Sequence, residues 1–363
     1  MKSYDDISVV IPAYNAQRTI KRAIHSVLQI GSALLEVIVV DDGSLDHTSD
    51  IVMECMKVDS RVRLIKQDNM GRSAARNMGV KSARASWIMF VDADDYIFPG
   101  NYGELVNAAV NNCVDLLICM HSRPGLVGEN DLSISDALDN LAVLPCYELK
   151  RFMIDGSPRA REGQGVFYEY NAAWSRLYRR DLIVSLSSRF GPDLAPFPVG
   201  LRFSEDRIFN LEYLCVMGDK LVGFVPFCSY YWDLGFSETC GLVRSEDIIS
   251  LKRYIDVVSA LKELHVVSPL DETLLLSREF IEQFKRAVKA SCDQIEIVDS
   301  WVDAFTPYWC RKNLKHIPSD CLGLRNEWLL AAYLIKKGLL RPAFLLYRLM
   351  LLIQMRITHF LEF

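Results

Sequence analysis

The first 120 residues alternate short apolar runs with segments of helical periodicity, and this alternation narrows the folds open to the chain. Ile7–Ile11, Val37–Val40, Val62–Ile65 and Trp87–Val91 read as buried strands, and a further strand is expected near Leu116–Cys119. Between them, Ile20, Ala23, Ile24, Val27 and Leu28 repeat at helical spacing, with Asn15 placed to cap that segment. A second helix is expected from about Asp46, with Ile51, Val52, Cys55 and Met56 on one face. Helices over Gly71–Ala83 and Tyr102–Val110 complete the series. Such alternation predicts a mainly parallel sheet covered by helices on both faces. Ligands of such sheets sit beyond the carboxyl ends of the strands.

Two acidic clusters fall at those ends: Asp41-Asp42-Gly43-Ser44 after the second strand, and Asp92-Ala93-Asp94-Asp95 after the fourth. Asp92 and Asp94 are two apart, so extended backbone puts both carboxylates on one side. Two converging carboxylates repel unless a cation lies between them. All-oxygen ligation suits Mg²⁺ or Mn²⁺. Taken alone, the triplet reads equally as a metal site or as a solvated acidic turn. Asp41 and Asp42 can accept hydrogen bonds from a nucleobase, or simply close a turn with Gly43. Tyr14, beyond the first strand, can stack on a base or be an ordinary loop aromatic. Asn69 and Arg76 can reach a base and phosphates, or line a solvated helix face. Glu205-Asp206 opens a helix through Phe209, Tyr213 and Val216; it either complements the helix dipole or supplies a general base.

The middle of the chain is harder to read. Arg123-Pro124-Gly125 and Gly156-Ser157-Pro158 mark loops, with a short helix over Leu144–Ile154 between them. A strand is expected near Leu221–Phe224, and the chain reads as helical from about 243 to the end. The net charge of −5 leaves no basic footprint for nucleic acid. Ten cysteines without a Cys-x-x-Cys pair, and six dispersed histidines, read as reduced thiols and no zinc site. The Walker, dinucleotide-binding and serine-hydrolase glycine motifs are absent. The apolar run at the N-terminus is too short for a signal peptide, and no uncharged run is long enough to span a membrane, so a cytoplasmic catalytic domain is expected.

Taken together, Val9-Val10-Ile11-Pro12-Ala13-Tyr14-Asn15, Val39-Val40-Asp41-Asp42-Gly43-Ser44, Asn69-Met70-Gly71-Arg72-Ser73-Ala74-Ala75-Arg76-Asn77 and Phe90-Val91-Asp92-Ala93-Asp94-Asp95 resemble a family 2 glycosyltransferase of the bacterial surface-polysaccharide type. The resemblance is dense over about residues 7–115. It thins through Trp174-Ser175-Arg176-Leu177-Tyr178-Arg179-Arg180 and Glu205-Asp206-Arg207. It implies the GT-A fold over residues 1–240, with 1–115 as the nucleotide-sugar half and 116–240 as the acceptor half, and a helical extension over 241–363. It also implies an inverting transfer from a nucleotide-sugar, usually a UDP-sugar, to a glycan or lipid-linked glycan. By the same resemblance, Pro12, Tyr14, Asp42, Asn69 and Arg76 surround the base, with Asp41 as the alternative to Asp42. Asp92, with Ala93 beside it, meets ribose or metal, and Asp94 holds Mg²⁺ or Mn²⁺ on the diphosphate. Asp206 is the base, supported by Glu205. In the less readable stretch, Trp174, Arg176, Tyr230, Tyr231 and Trp232 are candidates for the acceptor side or for the core.

Residues 339–363 are very apolar, yet on a helix starting near Pro342 they place Arg348, Arg356 and His359 in one stripe. That pattern suits a helix lying in a membrane interface and predicts peripheral attachment to the cytoplasmic face of the inner membrane. It also suits a helix packed in its own domain or a contact between copies, which leaves an oligomer open. A nucleotidyltransferase is the competing enzyme, although it normally brings a Gly-rich loop where this chain has Pro12-Ala13-Tyr14-Asn15. A non-catalytic nucleotide-sugar-binding protein is the competing class.

Overall fold

The computed structural model describes residues 6–122, 133–155, 170–191, 196–233, 245–272, 274–276 and 279. The chain divides into two compact units, one of residues 1–153 with 158–237 and one of 154–157 with 238–363.

In the first unit the strands are β1 (Ile7–Ala13), β2 (Leu34–Asp42), β3 (Val62–Gln67), β4 (Trp87–Phe90), β5 (Tyr96–Ile97), β6 (Val114–Ser122), β7 (Ala142–Pro145), β8 (Arg176–Arg179) and β9 (Leu221–Tyr231). They make one sheet in the order β3-β2-β1-β4-β8-β6-β9-β5, with β7 paired to β9. β1 is fully buried along its length, as a central strand covered on both faces must be. β1, β2, β3 and β4 run parallel, and β6 runs parallel to β9. β8 is antiparallel to both of its neighbours, β4 and β6. The sheet is therefore mainly parallel, as the alternation predicts, with β8 reversed at its middle and the short β5 and β7 reversed beside β9.

Helices α1 (Ile20–Val27), α2 (Thr48–Val58), α3 (Arg72–Ser82) and α4 (Tyr102–Asn111) follow the expected order. Further along are α5 (Ile134–Leu138), α6 (Cys146–Asp155), α7 (Arg180–Phe190) and α8 (Glu205–Met217). One core joins Val9 and Ile11 of β1 to Ile20, Ala23, Ile24 and Val27 of α1, with Leu105 and Val106 of α4. On the other face, Phe90, Tyr178, Phe197 and Phe209 pack ring against ring, with centroids 4.0–5.9 Å apart. α3 lies very close to β1: a Cβ on Gly79 would come within 2.2 Å of Val10 Cγ1. Only a residue without a side chain permits that approach, and it fixes how far Arg76, one turn earlier, reaches.

Asn15 does not cap α1. Its backbone is left-handed (φ 50°), and its Oδ1 accepts the Leu45 N–H at 2.8 Å, joining the loops after β1 and β2. Thr19 is the residue before α1, and its side chain makes no cap. In the second unit, α9 (Ser245–Glu263) buries Tyr254, Val257, Val258 and Leu261, and Lys262 pairs with Glu272 at 3.0 Å. The predicted tail helix over 339–363 lies outside the described residues. Among the described residues no helix is long and apolar enough to cross a membrane.

Candidate active site

At the end of β2, Asp41 and Asp42 are both 3% exposed. Asp41 accepts the Ser44 N–H at 2.9 Å and the Ser49 hydroxyl. Asp42 accepts Gln67 Nε2 at 2.7 Å, the Met70 N–H at 2.9 Å and the Gly71 N–H at 2.8 Å. Asp42 thus ties β2 to the turn that starts α3. Pro12 is buried beside them, while Tyr14 and Asn69 are exposed on the same rim.

The end of β4 is different. Asp92 and Asp94 are half-buried, with Ala93 buried between them. Burial, then the nearby Asp92 carboxylate, pushes Asp94 up to about 6, against the pull of Arg22. Asp95 is driven further, to about 8, by burial and by Asp92 and Asp94. Asp95 is a strut of this turn. It accepts the Tyr230 hydroxyl and the Asp233 N–H (2.8 Å). Tyr230 in turn accepts the Asp92 N–H at 3.2 Å. Arg22 closes the belt, pairing with Asp233 at 2.9 Å and donating to the Asp94 carbonyl. The end of β9 and helix α1 therefore hold the acidic turn in shape.

The third acid pair opens α8. Ser204, just before it, is left-handed at φ 59°, a conformation that costs a non-glycine residue energy and collects at functional sites. Glu205 is buried and bonds Arg72 Nη2 at 3.0 Å through Oε2. Asp206 accepts the Ala173 N–H at 3.2 Å through Oδ2. Burial lifts Asp206 to about 6; Glu205 adds to the rise, and Arg76 and Arg72 oppose it.

Arg76 joins the two acidic groups. Its Nη2 donates to Asp92 Oδ1 at 2.8 Å, and its Nη1 donates to Asp206 Oδ1 at 2.7 Å and Glu205 Oε1 at 3.2 Å. Burial works against its charge, but Asp206, Asp92 and Glu205 together hold the guanidinium protonated. Asn77 bonds both the N–H and the carbonyl of Phe197, which sets the Phe197 ring 5.3 Å from the guanidinium. The sequence reading puts Arg76 at the base and phosphates; the structure surrounds it with carboxylates.

Trp174 stacks on Tyr230 at 4.6 Å and 9°, next to the Ala173 amide that meets Asp206, and half-buried Trp232 lies 6.1 Å away. Arg176 is placed differently from the two tryptophans. It is 1% exposed and donates to Asn210 Oδ1 at 3.3 Å. The reason is Ser175, whose φ of 60° interrupts the strand alternation that would put residues 174 and 176 on one side. Arg72 is a site residue that the sequence reading leaves out. Its signal was its spacing, four residues before Arg76 on one helix face. The Arg22–Asp233 pair carries no local signal, because its members are distant in sequence.

Among the described residues, no three His, Cys, Asp or Glu side chains form a ready-made metal centre. The donor set at the β4 end still fits a hard cation. The Asp92 carboxylate lies close enough to raise Asp94, and among the described residues no counter-charge is bonded to the Asp94 side chain.

The mixed sheet flanked by helices is a GT-A-like α/β fold. The S. aureus TarS 1–349 structure in complex with UDP-GlcNAc superposes with a TM-score of 0.61 at 17% identity, over 94% of this chain and 90% of that one. Residues 8–176 match the Glycosyl transferase family 2 model, and this part of the chain is a family 2 glycosyltransferase domain. The uncharacterized glycosyltransferase EpsJ of Bacillus subtilis is 32% identical over 57% of this chain and 55% of its own length. The succinoglycan biosynthesis protein ExoO of Rhizobium meliloti is 42% identical over 41% of this chain and 42% of its own. The chain thus spans about half the length of the curated relatives it matches.

Proposed function

We propose that this protein transfers a sugar, with inversion, from a UDP-sugar to a hydroxyl of a glycan or lipid-linked glycan in surface-polysaccharide synthesis. The observation that carries the reading is the meeting of two acid pairs, Asp92-Asp94 and Glu205-Asp206, at one edge of the sheet. The UDP-GlcNAc held by TarS supports the donor class, and the relation to ExoO supports the pathway class.

Asp92 and Asp94 are the groups that would hold Mg²⁺ or Mn²⁺; when bound, such an ion neutralises the charge appearing on the leaving diphosphate. Tyr14, Asn69 and the Asp42 turn form the rim offered to the nucleobase. Asp206 takes the proton of the acceptor hydroxyl while that oxygen bonds to the anomeric carbon and the bond to the diphosphate breaks. A carboxylate raised to about 6 is a better base than an ordinary aspartate and is still ionised at neutral pH. Trp174 and Trp232 border the acceptor side.

The test is UDP release from a panel of UDP-sugars with Mn²⁺. Asp206→Asn is expected to lower turnover by roughly 10²–10⁴-fold while UDP binding stays near wild type. Full turnover by that variant would remove the base assignment. No UDP release by wild type from any donor, with or without acceptor glycans, would remove the reading itself.

A further inference from the structure

We propose that Arg76 is a positioning residue that sets the distance and orientation of Asp206 relative to Asp92, and that it is not a ligand of the nucleotide. The inference deepens the glycosyltransferase reading and rests on it for its kinetic test. Asp92 lies in the turn after β4 and Asp206 lies at the start of α8, 114 residues later in the chain. One guanidinium bonds both, at 2.8 Å and 2.7 Å. A guanidinium is a rigid planar fork, so two carboxylates bonded to its two terminal nitrogens keep a fixed separation. A lysine ammonium, a point donor on a flexible stem, imposes no such geometry.

Every part of the surroundings holds that fork still. Gly79 seats α3 against β1, and Phe197, clasped by Asn77, lies against the guanidinium. Glu205 takes a third contact from Nη1, and Arg72 holds the other Glu205 oxygen. The Ala173 amide fixes the second oxygen of Asp206, leaving its carboxylate little rotational freedom. Arg76 is 1% exposed, and its Nε is buried without a partner. A nucleotide would have to break carboxylate contacts to reach it.

The test compares wild type, Arg76→Lys, Arg76→Gln and Asp206→Asn in the full chain. UDP binding is followed by calorimetry with Mn²⁺, and turnover of a UDP-sugar by UDP release. Arg76→Lys keeps the charge and loses the fork. It is expected to leave the UDP Kd and the donor KM within about threefold while kcat falls about 100-fold, the pattern of an interaction needed only in the transition state. Combining it with Asp206→Asn should cost no more than Asp206→Asn alone. A tenfold weaker UDP Kd with kcat unchanged would overturn the proposal and return Arg76 to the nucleotide.

A second measurement stands apart from activity, so that a failed glycosyltransferase reading leaves the positioning claim testable. The Tm shifts of Asp92→Asn and Asp206→Asn are expected to be non-additive when Arg76 is present and additive in the Arg76→Gln background. Additive shifts with Arg76 in place would overturn it.

Discussion

The ends of β2 and β4 carry nearly the same sequence, an apolar strand running into paired aspartates, and the structure uses them in opposite ways. At β2, Asp41 and Asp42 are 3% exposed, and five donors from the chain itself satisfy them. At β4, Asp94 has no side-chain donor bonded to it among the described residues and is pushed up to about 6 by burial and by Asp92. At these two strand ends, the saturated Asp42 is part of the frame, while Asp94 is left open to a ligand. The number of internal donors separates the two, and a strand-end motif does not report it.

The sharpest way to break this comparison is Asp94→Ala. It is expected to reduce Mn²⁺-dependent turnover by about 10³-fold, some 4 kcal/mol of transition-state stabilisation, with little change in Tm. Calorimetry of UDP with and without Mn²⁺ should show the metal-dependent part of binding disappear. Asp42→Ala should do the reverse. It strands Gln67 and the Met70 and Gly71 amides, and is expected to cost about 2–4 kcal/mol in urea unfolding. If Asp42→Ala leaves stability unchanged, β2 is not a frame. Gly79→Ala probes what both rims share, because α3 is held by Asp42 at its start and carries Arg76. With Val10 Cγ1 only 2.2 Å from the added methyl, about 1–3 kcal/mol of overpacking is expected, together with a lowered kcat. The smallest effect is on pH. Asp206, at about 6, must be ionised to accept a proton. The kcat/KM should therefore be flat above about pH 7 and fall about tenfold per unit below 6, with Asp206→Asn losing that limb.

The donor half of the fold was legible because its signals are local. Buried β1 and β2, and the apolar faces of α1 and α4, declare themselves in the spacing of their own residues. The second half depends on pairings between distant segments. β5 has two residues, β7 four, and β8 is recognisable as antiparallel only beside β4 and β6. α7 does show Ile183, Leu186 and Phe190 at helical spacing, yet it follows directly on β8 with no break to separate them. The acidic clusters were readable as sites but not as unequal ones. Whether an aspartate at a strand end bonds Gln67 or stays open is decided by the neighbouring loop. The surroundings of Arg176 were unreadable for a similar reason, since a single left-handed Ser175 redirects the side chains that follow it.

The reversal of β8 also divides the sheet. Because β8 is antiparallel to β6, β6 ends at Ser122 on the same edge at which β8 begins after Trp174, the edge that holds Asp92 and Asp206; between the two, β7 returns to the sheet beside β9. The described strand of this connection pairs with β9 and not with β1, β2 or β4, so changes within it leave the register of those three strands undisturbed. The strand reversed between β4 and β6 thus separates the part of the sheet built from consecutive strand-helix units from the part built by pairing distant segments.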